Sequence, residues 1–324
     1  MQKVLEIKNL KVHFPLKKGI FAKSQVVHAV DNVSFEVYAG ETLGIVGESG
    51  CGKSSLARSL VGLNKITAGE VIFLSTHHLE AANKNSWHKL RQDIQFIFQD
   101  PVASLNPRMT VAEIIAEPLK IYKPHLTYDE IMQQVAQLMQ LVGLSTNQLN
   151  RYPLEFSGGQ CQRIGIARAL ILNPKLIICD ESVSALDASI KAQIINLLKD
   201  LQKKLNLTII FISHDLSVVK HICSRVLVMY LGNVMELSTK DILYKHSHHP
   251  YSGALLSAVP IANPKLERNK VIKLLEGELP SAVNPPRGCV FSSRCPKADD
   301  MCRGSRPLPQ LLDDGTLVAC FKPD

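Results

Sequence analysis

Thr42-Leu43-Gly44-Ile45-Val46-Gly47-Glu48-Ser49-Gly50-Cys51-Gly52-Lys53-Ser54-Ser55-Leu56 decides the fold of this 324-residue chain. Thr42 to Val46 reads as a short buried strand, and Ser54 to Leu63 as a helix with apolar Leu56, Leu60 and Leu63. Between them, Gly47 to Ser54 fits G-x-x-x-x-G-K-[ST] at every fixed position. Glycines let successive backbone N–H groups, through Glu48, Ser49, Gly50, Cys51 and Gly52, curl around phosphate oxygens. The helix N-terminus adds its positive dipole end. In this pattern Lys53 reaches the β- and γ-phosphates of a nucleoside triphosphate, and Ser54 ligates Mg²⁺. Ser55 reads as a helix residue beside the site.

Two further apolar runs end in polar groups suited to the same chemistry. Leu176 to Cys179 reads as a strand buried on both faces, ending in Asp180-Glu181. Asp180 would hold Mg²⁺ through water, and Glu181 is placed to orient or deprotonate an attacking water. Leu207 to Ile212 ends in Ser213-His214-Asp215, where His214 is a candidate contact to the γ-phosphate. Short strands alternating with helices predict an α/β fold of the P-loop NTPase kind, a mostly parallel sheet flanked by helices. Between Asp100 and Tyr152 the pattern turns helical, with Thr127-x-x-Glu130 as a capping box ahead of an Ile131, Val135, Leu138, Met139, Val142 stripe. Ser157-Gly158-Gly159-Gln160 then opens another helix, Gln162 to Leu170, and offers a second anion cradle.

The composition is that of a globular protein, with 46% hydrophobic and 20% charged residues. No apolar stretch reaches about 18 residues and the N-terminus lacks a signal-like apolar core, so a soluble or peripheral protein is expected. The formal charge of +8 suits a solvated basic surface or docking beneath an anionic leaflet. No basic run is interleaved with aromatics, which argues against nucleic acid as a partner.

With these residues in place, the chain resembles the ATP-binding subunits of ABC transporters. Ser157 to Gln160 resembles the family's signature motif, which implies that it serves an ATP held by the P-loop of a partner subunit. Gln99 in Phe96-Ile97-Phe98-Gln99-Asp100 resembles the Q-loop, which implies γ-phosphate and Mg²⁺ sensing. Ser184 to Asp187 resembles the D-loop, with Asp187 reaching across the dimer, and His214 the switch histidine. The adenine-stacking aromatic falls best on Phe14, with Phe21 as runner-up. Ser104-Leu105-Asn106-Pro107-Arg108, Glu155-Phe156-Ser157 and Cys179 to Asp187 are similar to the dipeptide/oligopeptide importer subfamily, F-type rather than D-type. The tail agrees, in His249-Pro250-Tyr251, Gly277 to Ser281 and Asn284 to Cys289.

The resemblance implies an antiparallel β-subdomain beside the parallel sheet and a helical subdomain over about 100–160. It implies a nucleotide-binding domain over 1–245 and a small cysteine-containing extension over 246–324. It further implies a D-type ATPase partner, two membrane permeases, an extracytoplasmic peptide-binding protein, and a peripheral position on the cytoplasmic face of the membrane. ATP-driven import of dipeptides or oligopeptides is the expected function. Nickel or antimicrobial-peptide uptake, or a soluble ABC ATPase acting on DNA or ribosomes, are the alternatives.

Three positions depart from the family pattern. Ser182 replaces the usual Pro after the catalytic Glu, which predicts a looser turn and slower hydrolysis. Cys161 replaces an Arg and predicts a weakened electrostatic or docking contact. Ser189 replaces an apolar residue, with little effect expected. Cys51, beside Lys53 and a helix N-terminus, is expected to have a lowered pKa and to be blocked by alkylation. Cys289, Cys295, Cys302 and Cys320 crowd the last 36 residues as C-x₅-C-x₆-C-x₁₇-C. Four loop thiolates suit a [4Fe–4S] cluster, which some members of the subfamily carry; zinc, free thiols or a disulfide are the alternatives.

Overall fold

A computed structural model of the chain describes residues 2–16, 25–260 and 263–324. Phe21 lies outside the described residues. Strands come in the order β1 (Lys3–Leu16), β2 (Gln25–Tyr38), β3 (Thr42–Val46), β4 (Ala68–Phe73), β5 (His77–His78) and β6 (Ile94–Ile97). They continue with β7 (Leu176–Asp180), β8 (Thr208–Ile212), β9 (Arg225–Tyr230), β10 (Asn233–Thr239), β11 (Gln310–Leu311) and β12 (Leu317–Val318). The helices used below are α1 (Lys53–Leu60), α2 (Lys84–Asp93), α3 (Val111–Tyr122), α4 (Tyr128–Leu141) and α5 (Gly158–Leu170). After them come α6 (Ala188–Leu205), α7 (Leu216–Ile222), α8 (Lys240–Lys245) and α9 (Pro250–Ser257). The chain divides into two compact units, residues 1–81 with 213–324, and residues 82–212.

The first unit holds an antiparallel sheet in the order β2-β1-β4-β5. Its long strands alternate: Leu5, Ile7, Leu10 and Val12 of β1 and Val33, Phe35 and Val37 of β2 are buried, the half-buried pattern of a two-faced sheet. In the same unit β3 pairs in parallel with β9, which turns back antiparallel through β10 to β12 and β11. All five residues of β3 are buried, so a continuous apolar run marks a strand covered on both faces.

The second unit carries three parallel strands, β6-β7-β8, with every residue of β7 and β8 buried. Its helices α3, α4 and α5 pack on one another. Thr127 and Glu130 form the expected reciprocal cap of α4, and Thr110 with Glu113 does the same for α3. Along α4 the stripe is buried at Ile131, Val135 and Met139, with Val142 just past its end.

Helix α1 ends at Leu60, three residues short of the expected end, and Leu63 is 54% exposed. The reason is local. Gly62 takes φ +70° and the Leu63 N–H donates to the Arg58 carbonyl at 2.9 Å, closing the helix as a glycine cap. Among the described residues no helix is long and apolar enough to cross a membrane.

The cap of α4 gives a direct test. Thr127→Ala removes the oxygen that accepts the Glu130 N–H and should cost about 1 kcal/mol of stability, read by urea denaturation.

Candidate nucleotide site

The first unit folds Gly47 to Lys53 into a loop at the carboxyl end of β3. Gly52 is the N-cap of α1 at φ +102°, and a Cβ there would stand 2.0 Å from the Ala29 carbonyl oxygen of β2. Only glycine meets both conditions. Lys53 is 4% exposed, and its Nζ donates to the carbonyls of Gly47 at 2.8 Å and Glu48 at 3.0 Å. Ser54 and Ser55 follow on the first turn of α1, half-buried, while Ser49 and Gly50 are exposed at the tip of the loop. His214 is exposed in the same unit. The preceding Ser213 donates its N–H to the Ile45 carbonyl of β3, next to where the loop begins. Phe14 lies on β1, 36% exposed.

The loop is also held from far along the chain, which no local motif announces. The Tyr251 hydroxyl, on α9, accepts the Glu48 N–H at 3.0 Å, and Arg294 donates to the Glu48 carboxylate at 2.8 Å. Tyr251 is fully buried, packed edge-on to Tyr230 at 4.8 Å and against Phe291 at 5.3 Å. Burial pushes its phenol far up, so it stays neutral. Buried Glu236 of β10 accepts the N–H groups of His248 and His249, fixing the entry to α9.

In the second unit the Gln99 amide donates to the Glu181 carboxylate at 3.1 Å. Asp180 is 1% exposed at the end of β7. Glu181 takes the left-handed φ of +46°, pinned by its N–H to the Ile212 carbonyl and by Ser184, whose N–H and hydroxyl both donate to its carbonyl. The turn after Glu181 is therefore tied rather than loosened at Ser182. The Ser182 hydroxyl is buried near the Cys179 thiol without a hydrogen bond of ordinary geometry.

Asp187 caps α6, accepting the N–H groups of Ser189 and Ile190 at 3.1 and 3.0 Å, which hold its pKa down. The Ser189 hydroxyl adds a third bond at 2.8 Å, a contact an apolar residue there could not make.

Ser157 caps α5. Its hydroxyl accepts the Gln160 N–H at 3.3 Å and the Gln160 side chain accepts the Ser157 N–H at 3.0 Å. Gly158 and Gly159 are the first two residues of that helix. Their N–H groups belong to the first turn, which has no partners within the helix.

One cysteine expectation needs correction. Cys51 is fully buried, and that burial pushes its thiol up despite Lys53 at 3.7 Å; it is not a low-pKa nucleophile. Cys161 is also fully buried, its thiol donating to the Pro153 carbonyl at 3.5 Å.

Residues 30–184 match the ABC transporter family, and residues 235–302 match the C-terminal region of oligopeptide/dipeptide transporters. The oligopeptide transport ATP-binding protein OppF of Haemophilus influenzae is 59% identical over 322 residues, covering 98% of this chain and 97% of the relative. The chain belongs to the ABC transporter family. The dipeptide transport ATP-binding protein DppF of the same organism is 48% identical over 315 residues, covering 97% and 95%. Among solved structures, the dimeric post-hydrolysis state of the ATP-binding cassette MJ0796 bound to ADP and phosphate superposes with a TM-score of 0.64. It is 30% identical and covers 73% of this chain and 98% of that one. The fold is thus the P-loop ATPase cassette of this family, and ATP and Mg²⁺ are its substrate and cofactor.

The relatives also overturn the iron–sulfur expectation for the tail: they are ATP-binding transport proteins that show no such cluster. In the chain itself burial pushes the Cys289 thiol up to about 11 and raises Cys295 and Cys320. Among the described residues, the one grouping with metal-ligand spacing lies elsewhere.

Two substitutions test the site. Tyr251→Phe keeps the packing and leaves the Glu48 N–H without its acceptor. It should raise the KM for ATP about fivefold, equivalent to about 1 kcal/mol, with kcat little changed in steady-state assays of the assembled complex. Ser182→Ala deletes a desolvated hydroxyl and should leave stability unchanged or raise it by about 1 kcal/mol in denaturant titrations.

Proposed function

We propose that this chain is the ATP-hydrolysing subunit that energises import of oligopeptides across the cytoplasmic membrane. One observation carries the peptide reading: the region over 235–302 matches the oligopeptide/dipeptide transporter C-terminal family, in a chain that also holds the ATPase motifs. The higher identity to OppF than to DppF of one organism favours oligopeptides over dipeptides. Residues 1–245 act as the nucleotide-binding domain, with the helical subdomain over about 100–160, and 246–324 as the extension.

In this reading Phe14 stacks on adenine, the Gly47–Gly52 loop cradles the phosphates with the N–H groups that Tyr251 and the loop's own turn leave open, and Lys53 meets the β- and γ-phosphates. The hydroxyl of Ser54, the amide oxygen of Gln99 and the buried carboxylate of Asp180 are hard oxygen donors of the kind Mg²⁺ takes, and they would hold it. Bound there, the ion neutralises charge on the phosphate oxygens. Glu181 accepts a proton from the attacking water while Gln99 orients its carboxylate, and His214 holds the γ-phosphate. Ser157, Gly158, Gly159 and Gln160, with Asp187, serve the ATP bound by the other ATPase of the pair.

That partner is a D-type subunit. Two permeases and an extracytoplasmic peptide-binding protein complete the importer, and this chain sits peripherally on its cytoplasmic side. Exposed Phe98 and Val102, flanking Gln99, and Tyr152 and Leu154, ahead of the signature helix, supply apolar surface suited to permease docking.

Uptake of a labelled oligopeptide and of a dipeptide, in cells carrying Lys53→Ala, tests the assignment. Loss of oligopeptide uptake alone is expected; loss of dipeptide uptake alone would reassign the solute. Glu181→Gln should lower hydrolysis by about 10²-fold or more while ATP binding persists.

A further inference from the structure

His13 and His28 stand directly opposite each other on antiparallel β1 and β2, their ring centroids 4.3 Å apart. In an unbroken strand, residues 28 and 31 would point to opposite faces. Here Val12 faces Val30 while His13 faces His28, so Ala29 is an extra residue, a bulge that swings Asp31 to the side of the histidines. One nitrogen from each imidazole and a carboxylate oxygen of Asp31 come within 4.8 Å of one another. His13 Nε2 and His28 Nδ1 are both buried without a hydrogen-bond partner among the described residues. Neither nitrogen has a hydrogen bond of ordinary geometry, and such desolvated imidazole nitrogens are costly unless something binds them.

From this juxtaposition we infer that His13, His28 and Asp31 form a site for a late first-row divalent cation such as Zn²⁺. Two imidazoles and one carboxylate match zinc, nickel or copper better than the all-oxygen preference of Mg²⁺ or Ca²⁺. Ligand bonds of about 2.0–2.2 Å put ligand atoms about 3.3 Å apart, so modest side-chain rotation closes the set. His13 Nε2 already lies 3.6 Å from Asp31 Oδ1.

The competitor is Lys11, whose ammonium stands 3.5 Å from that same oxygen, while Arg306 holds the other carboxylate oxygen at 2.9 Å. Metal binding must displace Lys11 from Oδ1 but leaves Arg306 as an outer hydrogen-bond donor that orients the carboxylate. The site joins the strand bearing Phe14 to the strand whose Ala29 carbonyl abuts Gly52, so an ion here would staple the backbone beside the nucleotide loop.

The test is titration of the untagged full-length chain with Co²⁺ and Zn²⁺, followed by the cobalt d–d spectrum and by thermal unfolding. One equivalent with a nitrogen- and oxygen-ligand spectrum and a raised Tm is expected. His28→Gln should weaken binding by more than about tenfold and abolish the Tm rise. Lys11→Met should tighten binding several-fold, an opposite change that a merely misfolded variant does not give. Alkylating the tail cysteines should leave the equivalent in place. Binding that survives His28→Gln, vanishes on alkylation, or fails to tighten in Lys11→Met overturns the assignment.

Discussion

Space at two backbone positions governs the rest of this structure. A Cβ at Gly47 would stand 2.2 Å from the Met229 carbonyl oxygen, and one at Gly52 2.0 Å from that of Ala29. The phosphate loop is wedged between the end of β9 and the interior of β2, and both glycines have positive φ. Within the loop the Cys51 N–H donates to the Glu48 carbonyl, and the Glu48 N–H donates to the Tyr251 hydroxyl. Lys53 takes the acceptors that remain, the carbonyls of Gly47 and Glu48. Strand order, loop curvature and lysine placement are one constraint seen three ways.

A second theme is how often functional groups cap their own helices. Ser157 and Gln160 tie the start of α5, and Asp187 ties the start of α6. Residues that the proposed function assigns to a ligand of another subunit are thereby held in fixed rotamers, which would lower the entropic cost when the partner arrives. The strain at Glu181 follows the same logic, since Ser184 holds its carbonyl and Gln99 holds its carboxylate.

What the sequence made legible was local. Continuous apolar runs gave β3, β7 and β8, and Thr127 with Glu130 gave the start of α4, because periodicity and capping are written within a few residues. The Leu63 error came from underrating Gly62 as a helix stop. The Cys51 error came from weighing the nearby charge of Lys53 above desolvation, and burial is decided by distant chain. Tyr251 and Arg294 left no sign beside the loop they hold, and neither did the bulge at Ala29 that gathers His13, His28 and Asp31. Each depends on pairing between segments remote in sequence, where spacing carries no information.

The grip on Glu48 has a consequence for how the protein is made. Arg294 lies 246 residues after its partner. At synthesis rates of about 5–20 residues per second, the nascent loop waits roughly 10–50 s before that contact can form. The Ala282 carbonyl, which accepts the His28 N–H, arrives almost as late. The nucleotide loop is thus written long before the residues that secure it, which leaves a nascent chain with an unfinished phosphate cradle. An incomplete ribosomal product would carry the motif without the buttress.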